Sequence, residues 1–322
     1  MTPINRNLGM DLVRATEAAA LSAGRWMGLG NRSEADDAAM NAMAEILNSL
    51  DIDGYIVVGE DAQIGDESPL AGGRRIGTGR GPEVDVVVDP IDGKRMLAEG
   101  RSGAISVAAV APRGSMWAPR SARYMEKLVV NAEAGHALVP ECLDAPAAWT
   151  LALVARIKKK AVRDLVVFVL DRPRHQDLIN EIRAAGARVM LRGDGDVAGA
   201  LMAASRRSPV DVLMGIGGVS EGIMSACAVT SLGGAMLARL APQSDAEHAA
   251  VIANGHDLKQ ILSLHELVAS NQIFFSATGI ADGPLLSGVR YAGDRAETHS
   301  LVLRAETGTR RIIQAEHLLS EE

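Results

Sequence analysis

Cysteine and long apolar runs are scarce in this sequence of 322 residues. The two cysteines, Cys142 and Cys227, lie far apart and form no CxxC motif, which argues against a disulfide framework and a thiolate zinc site. No uninterrupted apolar run approaches ~18 residues, and the first residues lack the basic and apolar segments of a signal peptide. We therefore expect a soluble cytoplasmic protein with no membrane partner.

Aromatic residues make up only 3% of the chain, and the formal net charge is −7. Few aromatic rings are available for base stacking, and the negative charge opposes binding to a phosphate backbone, so we expect no nucleic-acid partner. With 48% hydrophobic and 23% charged residues, the chain is long enough for two globular domains or one large layered domain.

The most informative stretch is residues 84–93. Four valines in five positions predict a buried strand, which Pro90 should end, and the following aspartate and glycine favour a tight turn. Asp89 and Asp92 would then emerge together at the end of the strand. Because an unpaired buried carboxylate is costly, a divalent cation would be a suitable neutralising partner. Taken alone, the stretch is equally compatible with an ordinary turn.

The order of patterns along the chain predicts an α/β protein. Helices are expected over residues 9–27 and from residue 33, and strands over 55–58, 104–110 and 124–130. After a soft boundary near residue 160, three strand-to-helix turns predict a mostly parallel sheet with a ligand site beyond the carboxyl ends of its strands. The last ninety or so residues predict a helix over 257–270, a loop over 275–280 and two terminal strands.

Two known sequence motifs are incomplete. The glycines at 215, 217 and 218 suggest a dinucleotide fingerprint, but its third glycine would fall at Ser220. His265 and Glu266 begin a zinc-protease motif whose second histidine position holds Ala269.

What remains is a set of acids at strand ends and helix starts, together with a basic set. From its spacing alone, Asp36 is better explained as a solvated acid in the first turn of a helix. As a group, however, oxygen ligands select hard cations such as Mg²⁺ or Mn²⁺, and arginines nearby suit an anionic, phosphate-bearing substrate. The acids are Asp36, Glu60, Asp89, Asp92 and Glu221, and the basic residues are Lys127, Arg172, Arg174 and His175.

These residues carry a family resemblance. The stretch from Asp89 to Gly93 is similar to the metal motif of the lithium-sensitive phosphatases, which include inositol monophosphatases and fructose-1,6-bisphosphatases. Within that superfamily the chain resembles a class II, GlpX-type fructose-1,6-bisphosphatase over residues 8–319 or so. The matching segments are Ala35-Asp36, 53–60, 77–82, 84–93, 124–128, 172–175, 194–196, 215–218, Glu221-Gly222 and 275–280.

The resemblance implies a layered α-β-α-β-α sugar phosphatase fold, usually as a homo-oligomer, here a dimer or tetramer. We expect an N-terminal metal-binding subdomain over residues 1–160 and a C-terminal substrate-binding subdomain over 161–322. The implied metal ligands, for Mn²⁺ or Mg²⁺, are Asp36, Glu60, Asp89, Asp92 and Glu221. The implied contacts to phosphate or sugar are Gly93, Lys94, Tyr124, Arg172, Arg174, Asp194 and Asp196.

Several positions depart from the family pattern. Asp92 stands where the family usually has glutamate, Arg32 replaces a lysine, and Lys94 occupies the position of a threonine that helps to orient the attacking water. A protonated lysine cannot accept the same hydrogen bond, and its ammonium would pair with a carboxylate or with phosphate instead. We keep Arg32 and Lys94 as candidate catalytic residues. Asp66 or Glu67, in an altered acidic loop, is the candidate group that takes the proton of the water.

The leading hypothesis is a metal-dependent sugar bisphosphatase that hydrolyses the 1-phosphate of fructose 1,6-bisphosphate or a close relative such as sedoheptulose 1,7-bisphosphate. Two alternatives remain open. One is a paralogue that binds sugar phosphates as a regulatory protein with weak or no catalysis, a reading that Lys94 motivates. The other is a monophosphatase similar to inositol monophosphatase.

Overall fold

The computed structural model describes residues 7–59, 68–119 and 121–319. The chain divides into two compact units, Met1–Met116 with Ser270–Glu322, and Trp117–Ala269. Within the described ranges, no helix is both long and apolar enough to cross a membrane. Each unit combines a β-sheet with helices, and the predicted α/β class is confirmed.

The α-helices of the first unit lie in its first chain segment, and its strands come from both segments. The helices are α1 Leu8–Gly24, α2 Arg32–Ser49 and α3 Lys94–Ala98. The strands are β1 Asp53–Val58, β2 Arg75–Ile76, β3 Glu83–Asp92, β4 Ile105–Pro112, β11 Phe274–Gly279, β12 Arg290–Ala292, β13 Arg295–Arg304 and β14 Thr309–Leu318.

These strands form one sheet in the order β12-β13-β11-β4-β3-β1-β2, with β14 paired to β13. Only β1 and β3 are parallel neighbours. Helix α1 packs against α2 and on β4, β11 and β13. Its alanines at 15, 19, 20 and 23 are fully buried, because side chains that small allow close approach of the helix to its neighbours. The predicted helices over 9–27 and from 33 are confirmed.

Strand β3 continues further than its sequence predicts. Pro90 was expected to end it, yet the strand runs through Pro90 to Asp92. The explanation is a register shift against β4 between Asp89 and Asp92, since proline is tolerated where a bulge interrupts the ladder. On the other side, the pairing with β1 has already stopped at Val87, so no hydrogen bond from position 90 is missed there.

The second unit contains the remaining elements. Its strands are β5 Tyr124–Val130, β6 Val166–Leu170, β7 Arg188–Arg192, β8 Val212–Gly218, β9 Ala235–Leu240 and β10 Leu262–Ser263. Its helices are α4 Ala132–Gly135, α5 Glu141–Asp144, α6 Ala147–Ile157, α7 Gln176–Ala184, α8 Asp196–Ala204, α9 Val219–Leu232, α10 Asp245–Ala253 and α11 Leu264–Leu267.

The second sheet is mixed, so the expectation of a mostly parallel sheet is wrong. Its order is β10-β9-β5-β8-β6-β7, and only the pairs of β6 with β7 and with β8 are parallel. Strand β5, which precedes the strand-to-helix repeats in the chain, inserts antiparallel between β8 and β9. Helices α8 and α9 pack against each other and on this sheet.

Two expectations for the C-terminal part are also wrong. Residues 257–270 contain only the short β10 and α11, whereas the helix of this region is α10, capped by the Ser244 hydroxyl at the amide of Glu247. Residues 275–280 are not a loop, because Phe274–Gly279 is the buried strand β11. The two terminal strands are confirmed as β13 and β14.

The boundaries of the compact units differ from the single division near residue 160. Residues 270–322 belong with the first segment because β11 pairs with β4, and β13 pairs with β11. Residues 117–160 belong with the later segment because β5 lies between β8 and β9. Long-range strand pairing therefore decides the division, and the local patterns of the sequence carry no signal for it.

Candidate functional site

In the first unit, Asp89 and Asp92 lie on the bulged end of β3, where their side chains are buried. Asp89 is 7% exposed and Asp92 is 3% exposed. The Asp89 Oδ1 atom accepts a hydrogen bond of 3.0 Å from the amide of Ile91, across Pro90. The register shift lies between these two aspartates, so both carboxylates are in the irregular, buried end of the strand.

The turn after β3 brings Lys94 to Asp36. Gly93 has φ 110°, a left-handed conformation that favours glycine, and a Cβ there would lie 2.9 Å from the Met96 methyl carbon. Helix α3 begins at the next residue, and the Lys94 Nζ atom donates to Asp36 Oδ2 at 2.8 Å. Both side chains of this pair are 23% exposed.

Asp36 is therefore not the solvated first-turn acid that its spacing suggested. Helix α2 begins at Arg32, which places Asp36 one turn into the helix. Its Oδ2 atom binds Lys94, and its Oδ1 atom is buried without a hydrogen-bond partner among the described residues. Arg32 itself is exposed at the first position of the helix.

The carboxylates of the first unit suit a hard cation. Asp36, Asp89 and Asp92 offer only oxygen donors, and the unpartnered Asp36 Oδ1 is a buried acceptor that a cation would satisfy. Within the part of the chain that the structure describes, no three Asp, Glu, His or Cys side chains are grouped so that they could hold a metal ion. Glu60, a predicted ligand, lies outside the described residues, as do Asp66 and Glu67.

In the second unit, Lys127 and Asp196 form a buried ion pair. Lys127 lies on β5, Asp196 is the first residue of α8, and the Lys127 Nζ atom donates to Asp196 Oδ2. Their side chains are only 1% and 8% exposed. Gly217, on the neighbouring strand β8, leaves room for the pair, because a Cβ there would overlap Asp196 Oδ2 and approach Lys127 Nζ to 2.8 Å.

Glu221 lies near this pair, in the first turn of α9. Its Oε2 atom accepts a hydrogen bond of 2.8 Å from the Ser220 hydroxyl, and a Cβ at Gly218 would overlap that same oxygen. Burial raises the pKa of the Glu221 carboxyl; the Lys127 ammonium opposes the rise, and the Asp196 carboxylate adds to it. The two glycines of β8 thus admit two carboxylates beside one ammonium.

Two arginines follow the end of β6, and one of them contacts β8 and Tyr124. The Arg174 guanidinium donates to the carbonyl of Ile216 at 2.9 Å and lies 5.1 Å from the centre of the Tyr124 ring. Arg172 contacts Asp194 through Nη2 and Oδ1 at 3.4 Å. Because a guanidinium has five N–H donors, both arginines keep donors for an anionic ligand.

His175 has a structural role that the sequence did not indicate. Its side chain is buried, Nδ1 donates to the carbonyl of Leu170 at 2.7 Å, and Nε2 accepts from the amide of Ile216 at 2.7 Å. That arrangement requires the neutral ring, and burial lowers the pKa of His175. The basic set predicted from the sequence includes His175, whereas in the structure it links the end of β6 to β8.

Lys127 was also grouped with the substrate-binding cations, yet it serves Asp196. A sequence signal was present, since Lys127 shares one face of the predicted strand with the apolar Met125 and Val129, and an ammonium on an apolar face needs a buried partner. Its partner was not predictable, because the two residues are 69 positions apart. The structure thus places Lys127, Asp196 and Glu221 together in one unit, and Asp36 beside Lys94 in the other.

Comparison with known proteins decides the family. The family model for bacterial, glpX-encoded fructose-1,6-bisphosphatase matches residues 6–317. The chain belongs to this family. It is 39% identical to the class 2 fructose-1,6-bisphosphatase of Haemophilus influenzae over 99% of this chain and 98% of that protein. It is also 39% identical to fructose-1,6-bisphosphatase 1 class 2 of Escherichia coli K12, over 98% of this chain and 96% of the relative.

The match to the GlpX-type family confirms the resemblance read from residues 84–93 and 172–175. It covers residues of both compact units and ends at residue 317, so the family extends over nearly all of the described chain. The assignment of the individual ligands, with Asp36, Asp89, Asp92 and Glu221 among the described residues, stays a prediction.

Proposed function

We propose that this protein is a divalent-metal-dependent sugar bisphosphatase that removes the 1-phosphate of fructose 1,6-bisphosphate, with sedoheptulose 1,7-bisphosphate as a second substrate. The observation that carries the proposal is the family match over residues 6–317, which includes the buried carboxylates at the end of β3. We also place the family within the lithium-sensitive phosphatase superfamily, on the strength of the Asp89–Gly93 sequence.

The proposed metal ligands in the first unit are Asp36, Asp89 and Asp92, and the cation is Mn²⁺ or Mg²⁺. Glu60 and Glu221 complete the proposed set. When bound, such a cation polarises phosphoryl oxygens and lowers the pKa of a water molecule. Asp66 or Glu67 would take the proton of the attacking water, and Gly93 with its neighbours would offer backbone N–H donors to the scissile phosphate.

The proposed sugar-phosphate ligands are in the second unit. Arg172 and Arg174 donate to phosphate oxygens, and Tyr124 supports Arg174 through the contact of its ring with the guanidinium. Asp194 orients Arg172 by their ion pair. Asp196 is held by Lys127, and that bond fixes the direction in which its remaining oxygen can accept from a sugar hydroxyl.

A second candidate function is regulatory binding of sugar phosphates with little or no turnover. The observation that favours it is the Lys94 ammonium on Asp36, which occupies an oxygen of a proposed metal ligand. An inositol monophosphatase-like activity, by contrast, would not need a second phosphate, and loss of Arg174 would then be tolerated.

A phosphate-release screen of the purified protein separates these possibilities. It compares fructose 1,6-bisphosphate and sedoheptulose 1,7-bisphosphate with fructose 6-phosphate and inositol 1-phosphate, each with Mn²⁺, Mg²⁺ or chelator. We expect metal-dependent release from the bisphosphates alone. Tight binding without release supports the regulatory function, and equal release from monophosphates contradicts the bisphosphatase assignment.

Asp89→Asn tests the proposed metal site, and Asp85→Asn is its matched control. Both residues are buried aspartates of β3, but Asp85 accepts from the amide of Met116 at 3.1 Å and pairs with Arg113 at 3.5 Å. We expect Asp89→Asn to lose at least about a hundredfold in kcat, corresponding to ~2.7 kcal/mol of transition-state stabilisation. The control should retain turnover as long as circular dichroism shows it folded.

For location and assembly, we propose a cytoplasmic homo-oligomer, a dimer or a tetramer. Both cysteines are free and buried, as expected for a protein of a reducing compartment. Light scattering coupled to size exclusion measures the subunit number, and a monomer would contradict this proposal.

A further inference from the structure

The contact between Lys94 and Asp36 suggests a property of the proposed metal site that is specific to this chain. The Lys94 Nζ atom lies 2.8 Å from Asp36 Oδ2, a distance typical of a charge-assisted hydrogen bond. The pair is only 23% exposed on each side chain, so bulk water screens it less than a pair on the open surface.

The position of the ammonium is set by backbone geometry. Lys94 is the first residue of α3 and follows Gly93, whose φ of 110° reverses the chain directly after β3. Asp36 lies one turn into α2, and α2 packs against both α3 and β3. The contact therefore joins regular elements and does not depend on a surface loop.

This contact provides a hydrogen-bond partner for only one of the two carboxylate oxygens of Asp36. Its Oδ2 atom binds Lys94, whereas its Oδ1 atom is buried without a hydrogen-bond partner among the described residues. A divalent cation at Asp36 would satisfy Oδ1, but it would lie close to a fixed positive charge. Two cations at one carboxylate repel each other, and partial burial increases that repulsion.

We propose that Lys94 acts as a resident cation at Asp36 and competes with divalent metal for that carboxylate. The inference rests on the proposed function only in taking Asp36 as a metal ligand. Two consequences follow. The metal-free protein keeps Asp36 neutralised, and divalent metal binds more weakly than it would without the lysine.

The test is Mn²⁺ binding to the purified full chain, with free Mn²⁺ measured by electron paramagnetic resonance. Lys94→Met removes the ammonium and keeps the length of the side chain. We expect its Kd for Mn²⁺ to fall by about tenfold or more, because one positive charge is removed beside the ligand. Lys94→Thr is the second neutral variant, and Lys94→Arg, which keeps the charge, should bind Mn²⁺ as the parent protein does.

Lys158→Met is the matched control. Lys158 also forms a 2.8 Å ion pair with an aspartate, Asp211, but it lies in the other unit. We expect its Mn²⁺ affinity to equal that of the parent. Adding Asp36→Asn to Lys94→Met should abolish the gain, which assigns the effect to Asp36. Thermal unfolding monitored by circular dichroism checks that each variant folds.

An unchanged or weaker Mn²⁺ affinity in both neutral variants would overturn the inference. So would an equal gain in Lys158→Met. The outcome is separate from that of the proposed function, since the Kd is measured without substrate. If the parent protein hydrolyses fructose 1,6-bisphosphate but neither neutral variant shifts the Kd, the proposed function stands and the role of Lys94 is refuted. If the Kd shifts but the parent shows no turnover, the role of Lys94 stands and the proposed function is refuted.

Discussion

Each unit places a lysine ammonium on an aspartate, but the two ion pairs lie at different depths. The Lys94–Asp36 pair is 23% exposed on both side chains, whereas Lys127 and Asp196 are 1% and 8% exposed. In both cases a glycine in the left-handed region precedes one of the partners, Gly93 before Lys94 and Gly195 before Asp196. The same kind of ion pair therefore occurs in both units, each time next to a glycine with a positive φ.

The difference in depth predicts a difference in role. A buried pair is costly to break, because the partner that remains is an uncompensated charge away from water. A partly exposed pair exchanges its partner more readily, since water and other ions reach it. We therefore regard Lys127 as a fixed structural cation and Lys94 as an exchangeable one.

Lys127→Met should have the largest effect on stability. It leaves the Asp196 carboxylate buried without its ammonium, which costs about 3–5 kcal/mol of the free energy of unfolding. Urea denaturation measures this cost. Lys158→Met is the matched control, and it should cost less because Lys160 still binds Asp211 at 2.7 Å. Equal costs for the two variants would show that the Lys127 pair contributes no more to stability than the Lys158 pair.

Gly217→Ala should have the next largest effect. The added methyl group would overlap Asp196 Oδ2 and press on Lys127 Nζ, so that strand or pair must shift at a cost of about 1–3 kcal/mol. Gly24→Ala in the first unit is the control, because its added methyl group would meet the ring of Tyr291, nearest at the hydroxyl oxygen at 2.7 Å, and this exposed side chain can shift. We expect Gly217→Ala to be the more destabilising, and the reverse order in urea denaturation would contradict the packing described around Asp196.

Strand β8, whose Gly217 lies against the buried pair, is also bonded to His175, and this histidine adds a pH dependence to the second unit. Burial lowers the pKa of His175 in the folded state, so the unfolded chain binds the proton more readily. The stability that the neutral ring contributes is present above the unfolded value of 6.5 and is lost as pH falls through the folded pKa. The difference in unfolding free energy between parent and His175→Gln should therefore narrow below pH 6.5. A constant difference would show that the ring titrates alike in both states.

Lys94→Met should have the smallest effect on the metal-free protein. Because the pair is partly exposed, its removal should change the free energy of unfolding by only about 0–1 kcal/mol. Urea denaturation in the presence of chelator is the measurement. A cost as large as that of Lys127→Met would mean that the two lysines have the same structural role.

The sequence predicted most local elements and few of the contacts between them. The valines of 84–88 and the mostly apolar residues of 124–130 were sufficient to identify β3 and β5. Pairings such as Lys94 with Asp36 and Lys127 with Asp196 span 58 and 69 positions, and local patterns contain no information on them. The sheet order depends on the same long-range pairing, which explains why the division of the chain differed from the one expected.

Strand β11 shows why one element was mistaken. Residues 275–280 were predicted to form a loop, whereas the hydroxyls of Ser276 and Thr278 are buried and bonded to Thr16 of α1 at 2.9 and 2.8 Å. A buried hydroxyl is stable only with such a partner, and this partner lies about 260 positions away. The family motifs were recognised from sequence because they are contiguous, and the assignment of the chain depended on them.

The most direct test of the account is the fate of the 1-phosphate of fructose 1,6-bisphosphate, followed by ³¹P nuclear magnetic resonance. With Mn²⁺ or Mg²⁺, the parent protein should convert the C1 phosphate resonance into inorganic phosphate and leave the C6 resonance in place, and chelator should stop the reaction. Loss of both phosphates at equal rates, or the same turnover by Asp89→Asn, would contradict it.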